Sequence, residues 1–345
     1  MRETSGGAAR TMGEPTPAQR LLARSVDWGR APSAHNTQPW DVRADGDRTL
    51  TLGWRPERTL PVGDPTARDL LLSLGCVAET LAITAADLGY AVRVRWSVDR
   101  RRAVAGHLEL EPGPAAAKTD FTVAEVRARR TARGAYEDPA LSAAQVRQLT
   151  SDVGLPDDVG LPGGVDLVTV PSAVVDRALP IADRWSFDGP ATGELREWLR
   201  LDRRATAYRQ DGLTDLALGL SRGEALGLRW ALRPRVLGVL RRTRATRLLA
   251  ATATARPLGT VVALTTRDAP DDEQTAVLGR WLLRSWLAAS RRGWSTHPLS
   301  HLLDAPESAA LMHDAAAGVP VAVFRVGVPA QPAAASHRLS DPSAD

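Results

Sequence analysis

Two stretches of the chain repeat the same pattern of glycine, apolar and aromatic residues, at an offset of 279 − 75 = 204 residues. Residues 75–90 and 279–294 each begin with a glycine, have a second glycine fourteen positions later and end on an aromatic residue. Their apolar residues recur at three- and four-residue steps, the period of a buried helical stripe. A repeat of this kind predicts two related halves, residues 15–114 and 119–340, packed as a pseudo-dimer.

Residues 30–40 read RAPSAHNTQPW and predict a stiff polar loop. Pro32 and Pro39 lack a backbone donor, and each pushes the preceding residue out of the helical region, so this segment cannot be a helix interior. The other residues supply amide, hydroxyl and imidazole groups. A rigid loop with such groups can present fixed hydrogen bonds to a flat heterocycle or to another backbone.

The loop resembles the APSxxNxQPW segment of flavin-dependent nitroreductases, and its HNT variant is similar to the Acg-type branch, whose chains hold two nitroreductase-like halves. The resemblance extends over roughly residues 20–340. It implies an α+β, nitroreductase-like fold of two α/β halves with antiparallel-rich sheets. In the family this loop lines the flavin pocket, which makes Ser33, Asn36 and Gln38 candidate FMN contacts. His35 is either a substrate contact or a brace of the loop, and the whole loop could instead only cap its own domain.

A second cluster, RRTAR, begins the second half. Three guanidiniums and a hydroxyl lie close together, and their mutual repulsion is unfavourable unless an anion sits nearby. The run resembles the RxSxR/K segment that holds the FMN phosphate in nitroreductases. The resemblance assigns Arg129, Arg130 and Thr131 to the phosphate side and Arg133 to the N1–C2 carbonyl edge of the flavin. Arg338 in the tail is a further phosphate candidate. The alternatives are a solvated basic face and, for Arg338, a disordered tail.

The segment that follows the second repeat helix holds the remaining site candidates. In the resembled family the backbone here passes the flavin ring, which implies contacts from Pro298, Leu299 and Ser300 and an amide bond to flavin N5 from Leu299 or Ser300. Relatives often have an acidic residue and a glycine where this chain has Ser300 and His301. His297 and His301 flank a proline, but no third ligand is evident, so we predict no metal site.

The remaining periodicity predicts a conventional set of elements. We expect the helix over 173–185 to be kinked or broken at Pro180. Predicted helices cover 17–29, 70–88, 142–150 and 173–185, and predicted strands cover 40–42, 49–53, 92–98, 103–110, 165–170, 259–265 and 319–327. Residues 186–250 have no counterpart in the first half and predict a helical lid or a scaffold at the seam between the halves. Their arginine-rich run, 233–247, is more typical of a solvated face than of a membrane-binding helix.

Composition excludes several classes of protein. The chain has a net charge of +4 and a single lysine, with no basic stripe interleaved with aromatics, so we predict no nucleic-acid partner. Cys76 is the only cysteine, which excludes an internal disulfide, and its apolar surroundings predict a buried thiol. Residues 1–14 are typical of a disordered tail, and no membrane span is predicted. These features predict a soluble cytoplasmic protein that is a pseudo-dimeric monomer or a weak homodimer.

The resemblance implies an FMN-dependent oxidoreductase that transfers hydride through flavin N5 between NAD(P)H and a small organic acceptor in a ping-pong cycle. The absence of a Ser-His-Asp, paired-carboxylate or HExxH pattern agrees with this, because the cofactor carries the chemistry. One alternative is an FMN-sequestering storage protein whose lid, residues 186–250, covers the flavin. Another is an FMN-dependent dehydrogenase that desaturates its substrate.

Overall fold

The computed structural model describes residues 14–113, 119–137, 140–154, 160–243 and 258–339. The predicted tail, apart from Glu14, and residues 114–118 at the junction of the two predicted halves therefore lie outside the described residues. The helices are α1 Pro17–Leu22, α2 Ser25–Trp28, α3 Arg68–Asp87, α4 Val123–Ala128, α5 Ala143–Ser151, α6 Ser172–Asp188, α7 Thr192–Trp198, α8 Asp215–Leu218, α9 Arg222–Ala231, α10 Pro234–Arg242, α11 Asp272–Arg291, α12 His301–Asp304 and α13 Pro306–Ala315. The strands are β1 Trp40–Ala44, β2 Thr49–Trp54, β3 Tyr90–Asp99, β4 Val104–Pro112, β5 Asp166–Thr169, β6 Leu199–Arg200, β7 Leu213–Thr214, β8 Thr260–Thr266, β9 Ser295–Pro298 and β10 Val319–Gly327.

Two four-stranded antiparallel sheets share one strand order. The first runs β1-β2-β4-β3 and the second β5-β8-β10-β9. In each sheet a long helix follows the second strand of this order. The chain then forms the edge strand at the end of the order, β3 or β9. The next strand in the chain, β4 or β10, lies between the second strand and this edge strand. The architecture confirms the predicted α+β class with antiparallel sheets.

Helices α3 and α11 pack against each other between the sheets. They begin 272 − 68 = 204 residues apart and end 291 − 87 = 204 residues apart. A Cβ added to Gly75 would lie 2.7 Å from the Cα of Gly279, and one added to Gly279 would lie 2.9 Å from the Cα of Gly75. Such a reciprocal contact between equivalent positions is the mark of a local two-fold relation. Nearby, the buried carboxylate of Glu79 pairs with Arg280 and Arg284 across the same seam, at 2.8 and 2.7 Å.

Most predicted elements are present, with two corrections. The helix expected over 17–29 is two short helices, because the backbone leaves the helical region at Arg24 (φ −90°, ψ 28°). Of the kink or break predicted at Pro180, the break is wrong, since α6 runs through that residue without interruption, while the kink stays a prediction. A helix tolerates an internal proline when neighbouring packing compensates the lost hydrogen bond. One side of α6 is packed in this way, since its residues Val175, Leu179 and Ala182 are buried.

Among the described residues, α3 is the one helix both long and apolar enough to resemble a membrane span. By length and composition it could cross a membrane, with a mean hydropathy of 1.5 over eighteen residues, but 83% of that stretch is buried inside the protein. Cys76 lies in this helix, is 2% exposed and donates to the carbonyl oxygen of Gly279. Burial raises the pKa of its thiol to about 12. The predicted buried thiol is confirmed.

Candidate functional site

The arginine cluster lies just past the end of a helix rather than within one. Helix α4 ends at Ala128, and Arg129 already has an extended ψ of 134°. Thr131 then forms a parallel bridge with Thr296 of β9, and the amide of Ala132 donates to the carbonyl oxygen of Thr296 at 3.2 Å. The RRTAR run is thereby fixed beside the segment that follows the second repeat helix.

Four guanidiniums surround one narrow cavity. Arg30, Arg129, Arg130 and Arg338 line it together with Thr131, and none of the described residues that line it is acidic. Burial and then the neighbouring arginines lower the pKa of Arg129 to about 10 and that of Arg338 to about 9. Like charges held together without an acidic partner are stabilised by an anion, and forked guanidinium contacts suit a phosphate.

Among the buried polar atoms that lack a hydrogen-bond partner in the described residues, two belong to Arg338 of this cluster and to Thr296 beside it. They are Nε of Arg338 and Oγ1 of Thr296, and both are buried. Buried donors in native proteins are nearly always paired, so an orphaned donor requires an explanation such as a water, an ion or a ligand. The donors and the charges therefore fit a phosphate group.

The polar loop 30–40 meets the cluster directly. The guanidiniums of Arg129 and Arg338 both donate to the carbonyl oxygen of Arg30, at 3.5 and 3.3 Å. Within the loop His35, Asn36 and Gln38 all have positive φ, at 48°, 56° and 52°. Non-glycine residues rarely adopt this conformation, and such strain concentrates at functional sites.

The amide side chains of the loop bind protein groups in this structure. Asn36 Nδ2 donates to the carbonyl oxygens of Gly212 and His337, at 3.2 and 3.0 Å. Gln38 Nε2 donates to the carbonyl oxygen of Gln210 at 3.0 Å. Both side chains are almost fully buried. The amides thus fasten the insertion and the tail to the loop, while their predicted contact with FMN stays a prediction.

The tail closes the cavity from a third direction. Arg338 Nη1 donates to Asn36 Oδ1 at 2.7 Å, and the amide of Leu339 donates to Gln38 Oε1 at 3.0 Å. Ser33, the remaining loop candidate, accepts a bond from the amide of Gln38 at 2.9 Å, which holds the loop in shape. The structure therefore brings Arg338 to the cluster.

His35 lies on another side of the same region. Its Nδ1 is buried and has no partner among the described residues. Burial and then the charge of Arg133 lower its pKa to about 4, and His301 lies close enough to add to this effect. Arg133 itself donates to the carbonyl oxygen of Ala217, at 3.2 Å, in the insertion. His301 pairs with Asp183 at 3.2 Å.

The two candidate N5 donors differ in availability. The amide of Leu299 already donates to the carbonyl oxygen of Val323 at 2.8 Å, which counts against it. We find no bond from the amide of Ser300 to another described residue. His297 Nδ1 accepts from Arg325 Nε at 3.0 Å.

Sequence reasoning missed Arg30 and Arg325. Arg30 was part of the loop stretch but was not assigned to the anion site. Arg325 is 4% exposed and donates to the carbonyl oxygen of Arg133, at 2.7 Å, which positions the cluster. A lone arginine in an otherwise apolar strand was the signal that could have identified it, because a fully buried charge normally has a partner.

Known proteins resemble this chain in sequence, one of them over most of its length and others over about a third of it. No protein-family model matches. The chain is 26% identical over 333 aligned residues to PigM of Serratia, a probable NAD(P)H nitroreductase, and the match covers 90% of this chain and 88% of PigM. Two Mycobacterium tuberculosis proteins that carry the name NAD(P)H nitroreductase are 34% identical over 108 residues, so this match spans only about a third (31%) of their length.

Similarity to solved structures is remote. A BluB-like flavoprotein from Clostridium difficile gives a TM-score of 0.35 at 14% identity, covering 62% of this chain and 93% of that protein. A nitroreductase with bound FMN from Bacteroides fragilis gives 0.34 at 12% identity, covering 64% and 94%.

Proposed function

We propose that this chain is an FMN-binding protein of the Acg-type, two-half nitroreductase branch. The observation that carries the proposal is the cavity lined by Arg30, Arg129, Arg130 and Arg338, which holds four guanidiniums and no acidic side chain among the described residues. Desolvating these cations is costly unless an anion compensates them. The terminal phosphate of FMN is an anion of suitable charge.

The residues of the site would divide the cofactor between them. Arg129, Thr131 and Arg338 would bind the phosphate, with Arg30 and Arg130 adding positive charge. Arg133 would lie at the pyrimidine edge, where a fixed cation stabilises negative charge. The loop residues would hold one face of the site in shape, and the strain at His35 fits a position that must stay fixed.

We further propose that the protein is a cytoplasmic NAD(P)H oxidoreductase acting on a small organic acceptor. Similarity to proteins that carry the name NAD(P)H nitroreductase supports this class. When bound, FMN would supply the chemistry of hydride and electron transfer between the nicotinamide and the second substrate. The chain itself would bind and orient FMN and exclude water from it. The backbone amide of Ser300 is the proposed contact to flavin N5.

One observation favours a second candidate, an FMN-sequestering protein. The insertion contacts the loop through Gly212 and Gln210, and it contacts Arg133 through Ala217. A segment fastened at three points is well placed to restrict access to a bound flavin. An oxidoreductase requires that a nicotinamide still reaches the ring, whereas a storage protein does not.

A purified sample distinguishes these functions. We expect visible flavin absorbance that is bleached when NADH or NADPH is added without oxygen. A yellow protein that neither donor bleaches, but that dithionite does bleach, would support sequestration and reject the oxidoreductase. A protein that stays colourless after incubation with FMN and removal of the excess would reject both.

A further inference from the structure

Exposed apolar side chains concentrate on one part of the insertion. Eight large apolar residues are strongly exposed among the described residues, and four of them lie between positions 216 and 239. Leu226 is 66% exposed, Trp230 55% and Val239 57%. Leu226 and Trp230 belong to α9 and Val239 belongs to α10, and these two helices pack against each other. Single exposed apolar residues are common, but a local cluster marks an interaction surface.

The same helix faces carry arginines. On α9 Arg222, Leu226 and Trp230 follow at four-residue spacing, so they share one face. On α10 Arg235 and Val239 are four apart and Arg242 follows three later, which again makes one face. We call these two faces together the basic-apolar surface. The opposite sides of the helices are buried through Ala225, Ala231 and Leu237.

A groove opens beside this surface. It has a volume of about 260 Å³, and Leu201, Ala225 and Leu226 supply the apolar part of its lining. The charged part consists of Arg203, Arg222, Arg229 and Asp215. Arg203 pairs with Asp215 at 2.7 Å and Arg229 with Asp202 at 2.8 Å, which leaves Arg222 as the lining cation that pairs with no described residue. A partner that fits must therefore offer both apolar groups and negative charge at one place.

The charge of the surface selects among partners. Arg222, Arg235 and Arg242 form no ion pair with any described residue, and Glu224 is the one acidic residue on the two helices. A second copy of the chain seated face to face would oppose arginine with arginine, which is unfavourable. A membrane with anionic lipids complements both properties, because arginine binds the headgroups while leucine and tryptophan enter the interfacial region.

We propose that the basic-apolar surface binds the face of a membrane containing anionic phospholipids. From the sequence alone the arginine-rich run 233–247 is more typical of a solvated face than of a membrane-binding helix. The structure adds that Val239 of this run, and Leu226 and Trp230 before it, are exposed among the arginines. Binding is peripheral: two short helices lie in the interface and none crosses the membrane.

The test is sedimentation of the full-length protein with lipid vesicles. We expect cosedimentation with vesicles of phosphatidylcholine that contain about a quarter phosphatidylglycerol, and much weaker binding to pure phosphatidylcholine. Binding should weaken as salt is raised, because the arginine contribution is screened. Absence of binding to the anionic vesicles at low salt would overturn the proposal.

Matched variants separate this surface from other exposed groups. The double change Leu226→Ser with Trp230→Ser should weaken binding more than roughly tenfold. The double change Arg222→Gln with Arg235→Gln should weaken it about twenty-five-fold, at about fivefold for each arginine. Val26→Ser, at a position 60% exposed on α2, is the control and should bind as wild type. Equal loss in the control, or no loss in either double variant, would contradict the assignment.

Two further measurements exclude other partners. Melting temperatures equal to wild type will show that the variants remain folded. If light scattering shows a dimer without lipid that the Leu226→Ser, Trp230→Ser variant abolishes, the surface is a self-association site and the membrane proposal is wrong. Single-stranded DNA tests whether the contact is only general charge attraction. If DNA displaces the protein from vesicles, and if the Leu226→Ser, Trp230→Ser variant binds DNA as tightly as wild type does, the proposal also fails.

Discussion

The side-chain oxygen of Asn36 accepts a 2.7 Å hydrogen bond from the guanidinium of Arg338, a residue 302 positions later in the chain. The side-chain nitrogen of Asn36, Nδ2, donates at the same time to the carbonyl oxygens of His337 and Gly212. One buried side chain therefore joins the loop of the first half to the tail and to the insertion. Arg338 reaches the cationic cavity because this bond orients it.

Replacing Asn36 by Asp tests that role. The carboxylate can still accept from Arg338, but it cannot donate to the carbonyl oxygens of Gly212 and His337. Two buried acceptors facing an anion should lower the free energy of unfolding by about 2 kcal/mol or more, measured by urea denaturation. The same amide-to-acid change at exposed Gln331 is the control and should have little effect. Equal stability of Asn36→Asp and wild type would contradict the bonding described.

The phosphate assignment predicts a specific loss in Arg129→Ala. Removing a charged contact should lower FMN retention during dialysis by about tenfold or more. Arg102→Ala, at a side chain 83% exposed, should retain FMN as wild type does. Flavin absorbance per protein measures the result. Full retention in Arg129→Ala would show that this guanidinium does not hold the phosphate.

The contact between the two long helices predicts that Gly75 cannot be enlarged. A Cβ at this position would lie 1.9 Å from the carbonyl oxygen of Ala276, so the helices would have to separate. We expect Gly75→Ala to lower the melting temperature strongly, at a cost of about 3 kcal/mol. Gly227→Ala, on exposed α9 with open space around it, should instead stabilise the protein slightly. A neutral Gly75→Ala would refute the close packing.

Stability should fall in mildly acidic solution partly because of His35. Its folded-state pKa of about 4 lies below the unfolded value of 6.5, so the unfolded chain takes up the proton first. The stabilising contribution is complete above pH 6.5 and is lost between pH 6.5 and about 4, on the order of 3 kcal/mol. His35→Gln should flatten this part of the stability profile. His313→Gln, at an exposed position, should leave it unchanged.

Periodicity predicted the scaffold well because it depends on local pattern. The helix and strand spacing of the two repeats fixed which faces are apolar, and α3 and α11 have equal lengths in the structure. The resemblance predicted which segments form the site, and the structure brings the loop, the arginine cluster and the tail together. Their roles toward FMN stay predictions.

Long-range partners were beyond the reach of the sequence. The local sequence of the insertion does not predict that the carbonyl oxygens of Gln210 and Gly212 accept hydrogen bonds from the loop amides, because every residue has a backbone acceptor. The outward position of Leu226 and Trp230 likewise depends on which side of α9 packs on the protein. Local preference predicts a kink or a break at Pro180, whereas α6 continues through that residue.

A titration of flavin-free protein with FMN and with riboflavin tests the central claim most directly, since the two ligands differ only in the terminal phosphate. If the arginine cavity holds that phosphate, FMN will bind at least about a hundredfold more tightly, and the Arg129→Ala, Arg338→Gln double variant will lose most of the difference. Equal affinity for the two flavins, or a preference that survives the double variant, would show that the cavity serves another purpose.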